Sequence, residues 1–151
     1  MGRVYYAPFN ITAFGTASGD ILQITAGTNK PIAIHRFDMG QVDSEVNEML
    51  HIQIVRATGA GTTGGTTPTG EPLVPNDAAD GAALLAGYTS DATSLTTMWQ
   101  ESWSSLAAYK YVVAPEDRII VASAGILVFK VADTPTGDFD LAGTLTYEEL
   151  V

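Results

Sequence analysis

The chain contains only two histidines, His35 and His51, and metal binding is the chemistry that they would support. His51 lies between Leu50 and Ile52 and His35 follows Ile34, each in a segment whose hydrophobic residues alternate as they do in strands. A metal centre ordinarily takes at least three imidazole, thiolate or carboxylate ligands, and the sequence offers no third histidine and no cysteine. We therefore interpret both histidines as ordinary strand residues. A weak metal site shared by the two across neighbouring strands is the alternative.

Acidic residues lie close together at three places in the sequence. They are Asp43, Glu45 and Glu48, then Asp77 and Asp80, then Glu148 and Glu149. Two carboxyl groups act as acid and base when an apolar pocket separates their pKa values, and the sequence indicates no such pocket. The segment 77–81 also lacks the alternating oxygen ligands and closing glutamate of a calcium loop. We interpret these residues as solvated acids and, at Asp77–Asp80, as a turn.

The segment Val55–Gly70, VRATGAGTTGGTTPTG, is rich in glycine and raises the question of phosphate binding. A phosphate-binding loop ends in Gly-Lys-Ser/Thr at the start of a helix, whereas Gly64-Gly65 is followed here by Thr66-Thr67-Pro68. No serine occupies a Gly-x-Ser-x-Gly elbow. We therefore predict no catalytic residue, no bound cofactor and no metal, and thus a protein that is not an enzyme.

Because glycine and threonine pack poorly, we expect a flexible loop over about residues 57–72. A random coil of about 16 residues spans about 20–24 Å, which is enough to reach a neighbouring subunit. We predict that the tract contacts such a partner, and a disordered surface excursion is the alternative. The candidate contact residues are Thr62, Thr63, Gly64, Gly65, Thr66 and Thr67.

Aromatic residues are concentrated between positions 99 and 111, where Trp99, Trp103, Tyr109 and Tyr111 occur. Aromatic faces of this kind stack on sugar rings, but they more often fill a core or a subunit interface. We favour core or interface over a sugar-binding platform.

The elements that must position these residues are short strands, because apolar residues recur at every second position. Asp20–Thr25 and Pro31–Phe37 are predicted to form a hairpin through the turn residues between them. Met49–Arg56 is predicted as a strand with Leu50, Ile52 and Ile54 inward and with His51, Gln53 and Val55 outward. Further strands are predicted at 118–121, 126–131 and 139–147, the last with Gly143 at a close approach.

Two segments are ambiguous. Ser94–Tyr109 fits a helical stripe by spacing but a strand by propensity, and we predict a strand. The segment 77–86 is long enough for a helical turn, but Gly81 interrupts it, so we predict an ordered excursion. Seven or eight strands without a sustained helix predict an all-β, single domain over residues 1–151, an antiparallel β-sandwich of jelly-roll type.

Composition limits the partners. The chain of 151 residues is 46% hydrophobic but only 16% charged, so much of its surface must be neutral, and we expect self-association. Its net charge is −10 and it has no basic run, which argues against nucleic acid as a partner. The absence of cysteine suits assembly in a reducing cytosol. No apolar run approaches membrane-spanning length and no signal core is evident, so we expect no membrane partner.

The segment Thr67–Ala79, TPTGEPLVPNDAA, follows the Gly/Thr tract and resembles a family of small virion structural proteins of tailed bacteriophages and prophages. The resemblance extends to Val4–Phe9, Lys30–His35, Glu48–Ile52 and Pro115–Arg118, and so covers most of the chain. It carries no binding residue to specific positions.

The resemblance implies a jelly-roll decoration or cement protein on the outer capsid, assembled in the host cytoplasm. Its expected partners are copies of itself, as a homotrimer, and the major capsid protein. A receptor- or glycan-binding head of a trimeric phage fibre is the first alternative. A cupin-like metalloenzyme using His35 and His51 is the second.

Overall fold

The computed structural model describes residues 2–15, 19–43 and 46–150, and strands account for most of them. The strands are β1 (Arg3–Phe14), β2 (Asp20–Thr25), β3 (Ile32–Gln41), β4 (Met49–Gly59), β5 (Glu71–Pro72), β6 (Ala83–Ala86), β7 (Thr93–Ser104), β8 (Tyr109–Val112), β9 (Ile120–Val121), β10 (Ile126–Val131) and β11 (Phe139–Glu149). A 3-10 helix at Pro115–Asp117 is the one helix in this part of the chain. Among the described residues no helix has the length and apolar character needed to span a membrane.

The strands form two antiparallel sheets packed face to face. Sheet A has the order β5-β1-β11-β3-β8, with β9 also paired to β3, and sheet B has the order β6-β2-β10-β4-β7. Phe37 of sheet A stacks on Phe129 of sheet B with ring centroids 4.1 Å apart, in the middle of the core. The predicted antiparallel β-sandwich is confirmed, and the finer jelly-roll topology stays a prediction.

The predicted alternation in β11 is confirmed. Phe139, Leu141, Leu145 and Tyr147 are buried on one face of the strand. Gly143 lies on that face too, and a side chain there would overlap the Asp38 carbonyl and the Phe9 ring. The backbones of β11 and β3 and an aromatic ring thus meet where the sequence predicted a close approach.

The predicted hairpin of Asp20–Thr25 and Pro31–Phe37 is wrong. Both strands exist, but β2 pairs with β10 and β6 in sheet B, whereas β3 pairs with β11, β8 and β9 in sheet A. The turn in which the Lys30 N–H donates to the Gly27 carbonyl carries the chain from one sheet to the other. Short turns are compatible with both outcomes, and the long-range partners β10 and β11 decide between them.

Strand boundaries differ from the prediction at several places. β1, β5, β6 and β8 were not predicted, β4 continues to Gly59, and the strand expected from Arg118 begins at Ile120 after the 3-10 helix. Ser94–Tyr109 is confirmed as mostly strand, in β7. Segment 77–82 is irregular, as expected, and leads into β6.

A second, smaller core lies on the outer face of sheet B. Val55 and Val128 are cross-strand partners and are fully buried together with Ala57 and Ala92, in a cluster separate from the main core. Their neighbours Ile54, Leu127 and Phe129 belong to the main core, so the alternation of the strands directs Val55 and Val128 the other way. Val55 points outward as predicted, but other residues cover it.

The Gly/Thr tract lies beside that second core, because its partner Gln23 pairs with Val128 across the sheet. The Gly61 N–H donates to the buried Gln23 side chain at 2.7 Å, Thr62 exchanges two backbone hydrogen bonds with Ser90, and Thr66 exchanges two with Ala86. The tract is therefore bonded along its own sheet B rather than forming the expected flexible loop, and its contact with a neighbouring subunit stays a prediction. Its glycines permit close contact, because a Cβ at Gly61 would overlap the Tyr88 ring and one at Gly65 the Ala86 carbonyl.

Candidate interaction surface at the open edge of the sandwich

The strand β7 forms one edge of sheet B, and in the described part of the chain it pairs with β4 alone. All residues from Thr93 to Gln100 are exposed, which leaves one row of backbone N–H and C=O groups and both side-chain faces uncovered. Edge strands are ordinarily protected by lysine, proline or short length, or by a bulge or an inward-facing charge. β7 has 12 residues, neither lysine nor proline, and one charge, at Glu101.

A bulge divides the strand into two parts. Ile54 pairs with Trp99 and Val55 with Thr97, so Met98 is an extra residue without a partner on β4. Thr96, Trp99, Glu101 and Trp103 lie on the inner face, opposite Arg56 and the core residues of β4. Leu95, Thr97, Gln100 and Ser102 lie on the outer face.

A groove runs along the inner side of β7, between this strand and the edge of sheet A formed by β8, the 3-10 helix and β9. It consists of two adjoining hollows of about 430 and 550 Å³ that share Arg56 and Ile120. Trp99 forms part of one wall and packs edge-on against Tyr111 with ring centroids 5.5 Å apart. Trp99, Met98 and Ile120 remain 41%, 38% and 44% exposed there, so the groove presents apolar surface to solvent.

Two cations line the groove. Arg56 donates to the Ile120 carbonyl at 3.2 Å, and Arg118 lies beside Asp117, the one acid of the lining. The bases within 4.0 Å of a carboxylate are Arg3, Lys30, Arg36 and Lys130, besides the ring of His35. Among the described residues Arg56 and Arg118 have no such ion pair, although the chain has an excess of acids. The groove is therefore apolar and locally cationic on an acidic protein.

The four aromatic residues considered for a sugar platform are divided by the fold. Trp103, Tyr109 and Tyr111 are buried in the core, and the Trp103 indole N–H donates to the Ala107 carbonyl at 2.7 Å. Burial, together with the neighbouring Glu101 carboxylate, raises the pKa of Tyr109, which keeps this hydroxyl neutral. Trp99 alone of the four is exposed. The preference for a core role is confirmed for three of them.

The alternative of a metal site shared by His35 and His51 is wrong. His35 lies on β3 of sheet A, where its Nε2 is 2.9 Å from Glu148, whereas His51 lies on β4 of sheet B. The described residues contain no group of three or more potential ligands close enough to hold a metal ion.

The acids that cluster in the sequence make structural hydrogen bonds and ion pairs in the fold. Glu48 accepts a hydrogen bond from the Thr136 N–H, and Glu149 is buried between the Gly81 N–H and Lys30. Asp80 accepts from the Tyr147 hydroxyl, and burial is the largest cause that raises the pKa of this carboxyl. Glu45 lies outside the described residues. Among the described acids, Asp80 and Glu149 lie close enough for Glu149 to raise the pKa of Asp80 as well, and hydrogen bonds to Tyr147 and to Gly81 and Lys30 occupy the two carboxylates.

The predicted contact residues Thr62, Thr63, Gly64, Gly65, Thr66 and Thr67 are all exposed. They lie near β6, at the edge of sheet B opposite to β7. The structure therefore separates the predicted contact tract from the groove. Sequence reasoning missed the groove, although the lack of lysine and proline in Thr93–Ser104 was a visible signal.

The chain matches no protein-family model, no curated protein and no solved structure.

Proposed function

We propose that this protein is a non-enzymatic virion structural protein, a decoration or cement protein that binds the outer lattice of a tailed-phage capsid and stabilises it. The observation that carries the proposal is that sheet B is uncovered at both edges, at β7 with its apolar groove and at the exposed tract Thr62–Thr67. Long, exposed strand edges and apolar patches are costly in a protein that works alone and are typical of subunit contacts.

The strand pairing supports the jelly-roll part of the proposal. If the eight strands other than β5, β6 and β9 are numbered along the chain, the first pairs with the last, the second with the seventh, the third with the sixth and the fourth with the fifth. A long antiparallel hairpin rolled into two sheets has this pairing, which is the jelly-roll arrangement of capsid and lectin domains.

The surface chemistry supports the capsid side of the proposal. The tract Thr62–Thr67 presents neutral hydroxyl and backbone groups at one edge of sheet B, and its own backbone is already held by Ser90 and Ala86. A preformed surface loses less conformational entropy on binding than a flexible one. The net charge of −10 disfavours trapping of the viral genome.

Co-sedimentation with emptied, expanded capsids that lack this protein tests the proposal. We expect binding that saturates at a fixed number of copies per capsomer. Replacement of Thr62 and Thr67, whose side chains are exposed, by aspartate should weaken it, with Thr12→Asp on β1 as the control. Failure of the wild-type protein to bind capsids at any concentration would refute the proposal.

A receptor- or glycan-binding head is the second candidate, and exposed Trp99 favours it. An aromatic wall next to charged groups, here Arg56, Asp117 and Arg118, is a feature of sugar-binding sites. On a glycan array this function predicts selective binding that Trp99→Ala abolishes. Tyr6→Ala, at an exposed aromatic residue of β1, is the control and should leave glycan binding unchanged. The decoration function predicts that the wild type binds no glycan.

A further inference from the structure

We propose that two copies of this protein pair through their β7 edges, antiparallel and about a two-fold axis, so that sheet B continues from one copy into the other. The inference rests on the proposed function only for the view that β7 is a contact surface, and it does not require capsid binding. It names a second copy of the chain as the occupant of that edge.

The facing of the side chains restricts the register. A two-fold axis perpendicular to the sheet places partners from the two copies on the same face. Pairing Leu95 with Ser102, Thr96 with Glu101 and Thr97 with Gln100 satisfies this condition, because the first and third pairs are outer-facing and the second is inner-facing. A shift by one residue would oppose inner and outer residues throughout the ladder.

Charge complementarity supports the same register. Arg56 of β4 is the cross-strand partner of Thr96, and in this register Thr96 pairs with Glu101 of the second copy. The three residues form one row across the continued sheet, on its inner face, so Glu101 of the second copy lies two strands from Arg56. The long Arg56 side chain has no carboxylate within 4.0 Å in its own chain, as far as the described residues show, and Glu101 is the one charge on β7. The pairing therefore brings Glu101 of each copy to the groove of the other.

The bulge limits the extent of the ladder. In this register the two Met98 bulges meet at the axis, and three paired residues lie on each side of them. Bulges are among the features that oppose unlimited edge-to-edge association. We therefore expect a closed pair of copies rather than a fibre, and two copies rather than the three that the family resemblance implies.

Engineered disulfides test the register, because the natural chain has no cysteine. Thr97→Cys combined with Gln100→Cys should give a covalent dimer under mild oxidation, since directly opposed strand residues have Cα atoms about 4.5–5.5 Å apart. Within one chain these two positions are about 10 Å apart, too far for a disulfide. Thr96→Cys combined with Gln100→Cys places the thiols on opposite faces and should leave the protein uncross-linked.

Sedimentation of cysteine-free protein in about 0.15 M salt, where the Debye length is about 8 Å, tests the pairing itself. We expect dimers of the wild type, at least tenfold weaker association of Thr97→Lys, and no change for Thr12→Lys, an exposed threonine on β1. Circular dichroism checks that each variant folds.

A wild type that stays monomeric, equal cross-linking of both cysteine pairs, or a trimer that Thr97→Lys leaves intact would overturn the pairing. A dimer that ignores capsids would refute only the proposed function, and a capsid-binding monomer only this inference.

Discussion

Asp20 is a buried carboxyl at the start of β2 that links sheet B to Ala92 of the second core. Its Oδ2 accepts hydrogen bonds from the Tyr88 hydroxyl at 2.7 Å and the Ala92 N–H at 2.8 Å, and Lys130 lies 3.8 Å from Oδ1. Burial is the largest cause that raises the pKa of Asp20, and the nearby Asp91 acts in the same direction. The hydrogen bonds and Lys130 oppose it.

A raised pKa means that the folded state holds the Asp20 proton more tightly than the unfolded state does. The contribution to stability is therefore complete below the unfolded pKa of about 3.9 and is lost as pH rises through the folded value. Urea unfolding of wild type and Asp20→Asn from pH 4 to pH 8 checks this. The free energy of unfolding of wild type relative to Asp20→Asn should fall as pH rises, and a rise or a flat difference would contradict the account.

At the scale of elements, the Gly/Thr tract is hydrogen-bonded and closely packed against its own sheet rather than flexible. Gly61 has no room for a side chain beside the Tyr88 ring and the Ser90 carbonyl. We predict that Gly61→Ala lowers the free energy of unfolding by about 1–3 kcal/mol through overpacking. Gly40→Ala on β3 is the matched control, because its added methyl meets no atom within 4 Å and should change stability by less than about 1 kcal/mol. Chemical denaturation that finds the two variants equally stable would contradict this role.

The elements that sequence reasoning predicted best are those with strict alternation and a single buried face, such as β10 and β11. β1 was missed because Pro8 interrupts a strand pattern, although Tyr5, Ala7, Phe9 and Ile11 are buried alternately. β6, with the sequence ALLA, has helical propensity and becomes a strand through pairing with β2.

The candidate site was less predictable than the strands. The groove arises from the distance between β7 and the edge of sheet A, and residues far apart in sequence, such as Arg56, Trp99 and Ile120, form it. The tract was misjudged for a related reason, because the residues that hold it, Gln23, Ala86 and Ser90, are also distant in sequence. Local composition carries no information about such partners.

At the scale of the whole molecule, the protein combines a closed apolar core with two uncovered features, the β7 edge and the exposed tract Thr62–Thr67. They lie at opposite edges of sheet B, so one copy has surfaces for two different contacts. If β7 binds a second copy, the tract Thr62–Thr67 remains available to bind a capsid. A ligand that binds only the assembled state stabilises that state by mass action.

The most direct test of the central claim is the heat stability of expanded capsids with and without this protein, measured as genome release on a temperature ramp. We predict that saturating protein raises the release temperature and that the shift declines with occupancy as the protein is diluted. A release temperature that is the same at full occupancy and without the protein would contradict the claim that this β-sandwich reinforces a capsid.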